Sequence, residues 1–406
     1  MTTVPTRHPD RPHHVPAVVG GFAAMLGVHS PDSKQWQRLG EGLLVGDDAM
    51  DRLVDWMVAT GSKQMRPLFD RALTDGIAAV PDAPDAPDAL REFFAAVETV
   101  PAWVDHDKLV RGAKVLRTGG SDGMYIARDV AMLGGYQFSG FNKTLLRTGA
   151  LEKGSNQRWA ETMQWAMDVL SEDGLSPLGL GYQSTIRVRL IHAFVRRHVA
   201  AMPDWRTEDW GLPINQTDMA ATLVGAFIAP AIGGMGLGLL LTPAETDAVA
   251  HLVRYVGWLL GVEEQWLPRS FRDGVRVLVH TLSALADPDE STRQLAVPMS
   301  RDPLSWNYDR LPTIRRRLAY AQHLSVTGTF LGRHTMRALG LPTAIVPWYP
   351  AIRIPVNVAR SVTRLLPGGL DRAATRGARE QDRFMSTLVS AGPTVGAAAA
   401  RLTHAA

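Results

Sequence analysis

The 406-residue sequence contains no cysteine. This absence excludes disulfides, cysteine-ligated zinc or iron–sulfur centres, a thiol nucleophile and covalent attachment of a c-type haem. It is compatible with a reducing compartment. A metal or prosthetic group in this chain would therefore depend on histidine or on oxygen ligands.

Lysine is also scarce, because only six of the 43 basic residues are lysines and the last of them is Lys153. The net charge of +3 therefore comes from arginines, and these are scattered along the sequence. Short groups such as Arg196–Arg197 and Arg315–Arg317 are typical of solvated helix faces. We expect no nucleic-acid partner.

Several catalytic signatures are missing as well. The sequence has no phosphate-binding glycine loop, no His-Glu-x-x-His, no Glu-x-x-His pair and no Gly-x-Ser-x-Gly, which removes support for nucleotide binding, zinc proteolysis, di-iron chemistry and α/β-hydrolase activity. Asp47-Asp48-Ala-Met-Asp51 matches the Asp-Asp-x-x-Asp pattern of prenyl-diphosphate magnesium sites. It lies at a predicted helix start without a second acidic cluster, so we interpret it as a helix cap.

The hydrophobic pattern predicts an all-α protein. Apolar residues recur at helical spacing, and neither alternating strands nor hairpin turn signals are present. We expect one large helical domain over residues 31–366, preceded by a flexible, Pro- and His-rich arm at residues 1–30 and followed by an Arg-rich helical tail at residues 367–406. The Pro-Asp repeat at residues 81–89 predicts a surface loop. No stretch resembles a signal peptide, so the expected location is cytoplasmic.

One uncharged stretch, residues 219–244, is long enough to cross a membrane. Pro230 and the glycines that follow it are predicted to break this stretch into a short helix and a turn-rich segment. We favour a buried core helix, with a membrane span as the alternative. Contact with a membrane is therefore not expected, although the sequence leaves it open.

The centre of the chain holds the most informative histidine. His192 lies in the predicted helix STIRVRLIHAFVRRHV, where Val188, Val195, Arg189 and Arg196 flank it by one turn. An imidazole on such a mixed face suits a buried, flat, anionic cofactor: histidine would bind iron, apolar residues would cover a macrocycle, and the arginines would meet propionates. The alternative is a core histidine that is hydrogen-bonded to a carbonyl group.

The preceding helix, QRWAETMQWAMDVL, carries a second polar pair. Arg158 and Thr162 are four residues apart and therefore share a face. Arg158 could simply form a salt bridge, and Thr162 could contribute a hydroxyl that packs against neighbouring residues. If the helix lies over a haem, they would instead orient dioxygen or stabilise a developing charge.

These residues carry a family resemblance. Arg158-Trp-Ala-Glu-Thr162, the spacing of about 30 residues to His192 within RLIHAFVRRH, and the phrase GLPINQTDMAAT resemble the latex-clearing proteins (rubber oxygenases) and the wider mpaB-type oxygenase domain. PAWVD and GWLLGVEEQWLP are similar to the same domain, so the resemblance covers residues 31–366. It implies an all-α fold with a globin-like core, a non-covalent b-type haem, and oxidative cleavage of isoprenoid carbon–carbon double bonds by dioxygen.

The resemblance also implies roles for individual residues. His192 corresponds to the proximal haem ligand and, with it, the metal ligand, while Arg158 and Thr162 correspond to the distal polar pair. Two positions depart from the family pattern. Glu161 stands where relatives can carry a lysine able to cap the iron, and Asn142 lies where relatives use a glutamate as the proposed base. Glu161 is therefore our candidate acid or base.

Together these observations predict a haem-b-dependent oxygenase that uses dioxygen on a small apolar substrate of the isoprenoid or terpenoid type. Two alternatives remain open. One is a haem-binding sensor, carrier or peroxide-handling protein without oxygenase turnover. The other is a haem-free helical protein that binds lipid. The sequence does not indicate the oligomeric state.

Overall fold

The computed structural model describes residues 4–80 and 88–388, except for the side chains of Ala150 and Glu152. Within these ranges every regular element is a helix, which confirms the all-α prediction. The Pro-Asp repeat predicted as a surface loop falls almost entirely on residues 81–87, outside the described residues.

The helices follow one another with short connections. The first part of the chain forms α1 (Ala17–Met25), α2 (Ser33–Glu41), α3 (Asp48–Thr60), α4 (Ser62–Asp75), α5 (Asp88–Glu98), α6 (His106–Arg117) and α7 (Gly120–Tyr125). A π-helical segment (Ile126–Met132) leads into α8 (Leu133–Gly135), α9 (Ser139–Arg147), α10 (Ala150–Lys153), α11 (Ser155–Leu170), α12 (Leu180–Ala200) and α13 (Thr207–Trp210). The remainder forms α14 (Gln216–Gly236), α15 (Pro243–Leu259), α16 (Phe271–Ala284), α17 (Glu290–Arg301), α18 (Pro312–Ala338), α19 (Trp348–Arg364) and α20 (Gly369–Leu388).

A large apolar core joins α3, α5, α12, α14, α15 and α16. Its centre consists of side chains with no exposed surface, such as Leu53, Phe69, Val224 and Val256. Burying a side chain of this size contributes about 1.5–3 kcal/mol. The core therefore holds α12, which carries His192, firmly in place.

The uncharged stretch forms one continuous helix instead of the predicted short helix and turn. α14 runs through Pro230 as far as Gly236, and most of its residues are buried. Tertiary packing explains the difference, because Gly233 lies against Ile126 so closely that a Cβ at this position would come within 2.6 Å of the isoleucine. By length and composition alone α14 could cross a membrane, yet 61% of its apolar window is buried inside the protein.

The structure also corrects the prediction of a flexible arm. Arg7 forms an ion pair with Asp218 at 2.7 Å, with both side chains less than 10% exposed. The backbone amide of Thr6 donates to Glu208, and the ring of His8 packs on Trp36 with centroids 4.4 Å apart. Residues 4–30 are thus packed on the domain, through long-range contacts that a composition-based reading cannot detect.

Candidate functional site

Helices α11 and α12 form an antiparallel pair whose register two contacts define. The indole Nε1 of Trp165 donates a hydrogen bond to Thr185 Oγ1 at 3.0 Å. Closer to the connection, Gly181 lies against Val169, where a Cβ would come within 2.6 Å of the valine Cα. Each residue towards the amino terminus of α11 is therefore matched by one residue towards the carboxyl terminus of α12.

This register brings the predicted site residues to the same level of the pair. Arg158 lies two turns before Trp165, and His192 lies two turns after Thr185, so the two residues are opposite each other. Thr162 lies one turn from Arg158 on the same face of α11. The two helices thus carry His192 and Arg158 at the same level of the pair, and a site between them stays a prediction.

His192 combines partial exposure with close surroundings. Part of its surface remains accessible, whereas its Nδ1 atom is buried without a hydrogen-bond partner. Burial lowers the pKa of His192 to about 4, assisted by the nearby charge of Arg196 and opposed by that of Asp47. The imidazole is neutral at neutral pH, which is the form that binds a metal.

Arg158 is held by an aromatic residue that the sequence did not reveal. Its Nη2 donates to the hydroxyl oxygen of Tyr136 at 2.9 Å, and its guanidinium lies 5.7 Å from the centre of the ring. Burial raises the pKa of Tyr136, which the charge of Arg158 opposes. The amide of Asn142, itself fully buried, donates to the Tyr136 carbonyl oxygen at 2.8 Å. Asn142 therefore fixes the backbone of the residue that orients Arg158.

Thr162 and Glu161 differ in how they are engaged. Thr162 is exposed, and its hydroxyl donates to the Arg158 carbonyl oxygen at 2.9 Å, a bond within the helix. The Glu161 carboxylate accepts hydrogen bonds from Lys153 and from Gln157 Nε2. Lys153 belongs to the preceding helix α10, and sequence reasoning missed it as a partner. The catalytic roles of Thr162 and Glu161 remain predictions.

Arg189 and Arg196 are already engaged by carboxylates, which argues against their predicted role in binding cofactor propionates. Arg189 forms a buried bidentate pair with Asp47, with N···O distances of 2.6 and 2.8 Å. Arg196 pairs in the same way with Asp51, and its Nη2 lies 2.8 Å from the carboxylate. Each guanidinium therefore already holds a carboxylate of the α3 region, which compensates its charge.

The same pairs explain the acidic motif. Asp47 is the N-cap of α3 and accepts from the amide of Met50, which confirms the capping interpretation. Its second function, the ion pair with α12, could not be foreseen because 142 residues separate the partners. The motif is therefore a structural link between α3 and α12.

A second polar cluster lies in the π-helical segment. Arg128 and Asp129 are completely buried and paired at 2.5 Å, and Asp129 also lies 2.8 Å from His323 Nδ1 on α18. Arg128 reaches Asp302 at 3.3 Å. Segments of π-helix are frequent at functional sites, but here each charged group of the cluster faces an opposite charge.

A cavity of about 470 Å³ opens at the amino-terminal end of α11. Ser155, Arg158 and Asp302 contribute to its lining, whereas His192 and Thr162 do not. In the described parts of the chain, no group of three or more histidine and carboxylate side chains is arranged to hold a metal ion. An ion bound by His192 would therefore need to bring most of its own ligands.

The sequence matches a known protein family. A family model described as "ER-bound oxygenase mpaB/B'/Rubber oxygenase, catalytic domain" matches residues 124–365, more than half of the sequence, and the chain belongs to this family of oxygenase catalytic domains. Among individual proteins, the chain is 24% identical over 188 residues to the rubber oxygenase of Streptomyces sp. (strain K30). That match spans 45% of each protein, so the chain covers about half the length of this relative.

The fold is also similar to a solved structure. The structure of latex clearing protein LCP in the closed state superimposes with a TM-score of 0.62, covering 83% of this chain and 91% of that one. Sequence identity over the superposition is 20%, so this likeness concerns the fold. It extends the all-α architecture of the family to most of the chain.

Proposed function

We propose that this chain is a b-type haem-dependent oxygenase that acts on the carbon–carbon double bond of an apolar, isoprenoid-like substrate. The observation that carries the proposal is the α11–α12 register, which places Arg158 and His192 at the same level of the pair. Membership of an oxygenase family supports the reaction class. The named relative, a rubber oxygenase, supports the substrate class.

The residues around His192 fit a haem. A partly accessible imidazole, with no group of three or more metal-ligating side chains in the described residues, would suit the iron of a haem, which needs few ligands from the protein. The lowered pKa of His192 keeps the nitrogen lone pair available at neutral pH. His192 would hold the iron, and haem, when bound, supplies the redox chemistry that activates dioxygen.

The chain's own residues would orient the reactants. Arg158, fixed by Tyr136, would offer a positive charge and hydrogen bonds to oxygen atoms that gain negative charge. Thr162 would add a hydroxyl on the same face. Cleavage of a double bond by dioxygen places one oxygen atom on each carbon and yields two carbonyl groups, so it requires no further reductant.

Glu161 would assist proton movement only after release from Lys153 and Gln157. Neither arginine of α12 would bind the cofactor, because Asp47 and Asp51 already neutralise both. We therefore assign the anchoring of this haem to the iron–histidine bond and to apolar contacts. The proposed location of the protein is cytoplasmic.

The proposal is tested with purified protein in two stages. The visible spectrum and a pyridine haemochrome assay measure haem per chain, and an oxygen electrode then measures dioxygen consumption with unsaturated terpenoids. We expect about one haem b per chain and oxygen uptake that matches the carbonyl products formed. Haem without uptake would favour a sensor or carrier, and absence of haem after expression with added haemin would contradict the proposal.

A further inference from the structure

Helix α19 has its polar side turned inward. Arg353, Asn357, Ser361 and Arg364 recur at helical spacing and form the face that packs on the protein. Helices on a protein surface normally bury their apolar face and expose the polar one. The arrangement in α19 is the reverse.

Specific partners stabilise the inward polar face. Asp122, which is 1% exposed, accepts from Arg353 Nη2 at 2.7 Å, from Asn357 Nδ2 at 2.7 Å and from the Tyr349 hydroxyl at 2.6 Å. Arg364 pairs with the buried Glu245 at 3.0 Å. These groups fix the rotation of α19, so its apolar face cannot turn into the core without leaving buried charges unpaired.

The outward face is apolar over its whole length. Ile352 is 58% exposed and Val362 is 59% exposed. The further exposed apolar residues of the helix and its two flanks are Val346, Ile354, Val356, Leu365 and Leu366. A contiguous apolar surface of this kind marks a place where another apolar phase or molecule binds.

The helices that pack against α19 are strongly cationic. Residues 310–388 contain thirteen arginines and three acidic residues, a formal charge of +10, whereas the whole chain carries only +3. Within the described residues none of the exposed arginines of this region forms an ion pair; they are Arg310, Arg315, Arg317, Arg333, Arg337, Arg372, Arg376, Arg379 and Arg383. They lie on α18, on α20 and next to these helices, and both helices pack against α19.

A second apolar row lies among these arginines. Leu311, Ile314 and Leu318 are each more than half exposed and recur at helical spacing at the start of α18. Arg315 and Arg317 alternate with them. Apolar side chains that enter the acyl region, with arginines at the level of the head groups, are typical of helices that lie in a membrane interface.

From this combination we infer that α19, with the arginines of α18 and α20, forms a docking surface for an anionic lipid bilayer. The apolar face would enter the interface, and the arginines would contact acidic head groups. The inference is independent of the proposed oxygenase reaction. It differs from the sequence-based expectation of no membrane contact. That expectation considered only the uncharged stretch that forms α14 in the structure.

Charge and apolarity together select this occupant. A nucleic acid would match the arginines, but its phosphates would leave the apolar face of α19 in water. A second copy of the chain would cover the apolar face, but it would bring another +10 surface against the first. An anionic bilayer satisfies both features at once.

Sedimentation with vesicles tests the inference. We expect the full-length protein to bind vesicles of phosphatidylcholine with phosphatidylserine much more strongly than vesicles of phosphatidylcholine alone, and to be released as salt is raised from 0.1 to 0.5 M. Ile352→Glu or Val362→Glu should lower partitioning at least ten-fold. Arg310→Gln or Arg317→Gln should each lower it roughly five-fold.

Matched substitutions elsewhere serve as controls. Met25→Glu introduces the same charge at an apolar residue that is 70% exposed on α1, and Arg52→Gln removes an exposed arginine of α3. Both should bind vesicles like the unchanged protein, and all variants should keep its circular dichroism spectrum.

Three results would overturn the inference: equal binding to neutral and anionic vesicles, no effect of the α19 variants, or dimers in solution that Ile352→Glu dissociates while vesicle binding is absent. Binding of an oligonucleotide that competes fully with vesicles and survives the α19 variants would also overturn it. None of these assays depends on haem or dioxygen, so they leave the oxygenase proposal untouched.

Discussion

His192 and His323 are both surrounded by protein, but their environments differ in charge. His323 lies 2.8 Å from Asp129, within a cluster that also contains Arg128 and Asp302. His192 has an unpartnered Nδ1 and no carboxylate within pairing distance, and burial lowers its pKa to about 4. The first histidine belongs to a balanced ionic network and has no exposed surface, whereas the second is a neutral base with part of its surface accessible.

This difference separates a structural histidine from a candidate ligand. Each imidazole has one buried ring nitrogen without a hydrogen-bond partner, Nδ1 in His192 and Nε2 in His323. His323 has no exposed surface, and the buried charges beside it lie against opposite charges. Part of the surface of His192 is accessible, and we propose that this accessible side of the ring binds iron.

Asp129→Ala should destabilise the protein most, because it leaves the fully buried Arg128 with only the more distant Asp302. Removing one partner of a buried ion pair costs about 3–5 kcal/mol. Urea unfolding would measure the change. The control is Asp55→Ala, which removes the exposed partner of Arg197 and should cost less than about 1 kcal/mol. Equal effects would mean that the cluster is not the balanced network described here.

The stability of the haem-free protein should depend on pH through His192. Its pKa is about 4 in the folded protein against 6.5 for the free side chain, so between these values the unfolded state binds a proton that the folded state does not. Stability is therefore complete above pH 6.5 and decreases as pH falls towards 4, by up to roughly 3 kcal/mol.

Comparison with His192→Gln isolates this contribution, because burial lowers the pKa of His8, His251 and His280 in both proteins. The difference in unfolding free energy between the two proteins should shrink or change sign as pH falls from 7 to 4. A difference that does not vary with pH would contradict the lowered pKa.

Tyr136→Phe should have a smaller and more selective effect. It removes the hydroxyl that accepts from Arg158 at 2.9 Å but keeps the ring beneath the guanidinium. Hydrogen bonds to charged groups contribute about 1.5–3 kcal/mol, so kcat should fall roughly ten-fold or more with haem content unchanged. A matched control is Tyr308→Phe, whose ring lies under Arg315 away from the site. A loss of haem in Tyr136→Phe would indicate a structural role instead.

The sequence predicted those features that local pattern controls. Helical periodicity defined the all-α class, and the two amphipathic segments around Arg158 and His192, joined by one short connection, are the helices α11 and α12. The cap at Asp47 followed from its position at a helix start. Each of these rests on neighbours within one helix or one helical pair.

The features that were missed depend on distant parts of the chain. The partners of Arg189 and Arg196 lie more than 140 residues earlier in the chain. The sequence therefore could not show whether a haem propionate or an aspartate binds these arginines. The contact of Tyr136 with Arg158 could not be predicted, because a tyrosine in a protein core can have many different partners. The continuity of α14 depends on Ile126 packing on Gly233, and the inward polar face of α19 depends on Asp122.

The most direct test of the account is the haem content of three proteins purified side by side: the unchanged chain, His192→Ala and His323→Ala. A pyridine haemochrome assay after expression with added haemin gives the haem per chain. The account predicts about one haem b in the unchanged protein, almost none in His192→Ala, and near-normal content in whatever fraction of His323→Ala folds. Full occupancy in His192→Ala would contradict its central claim.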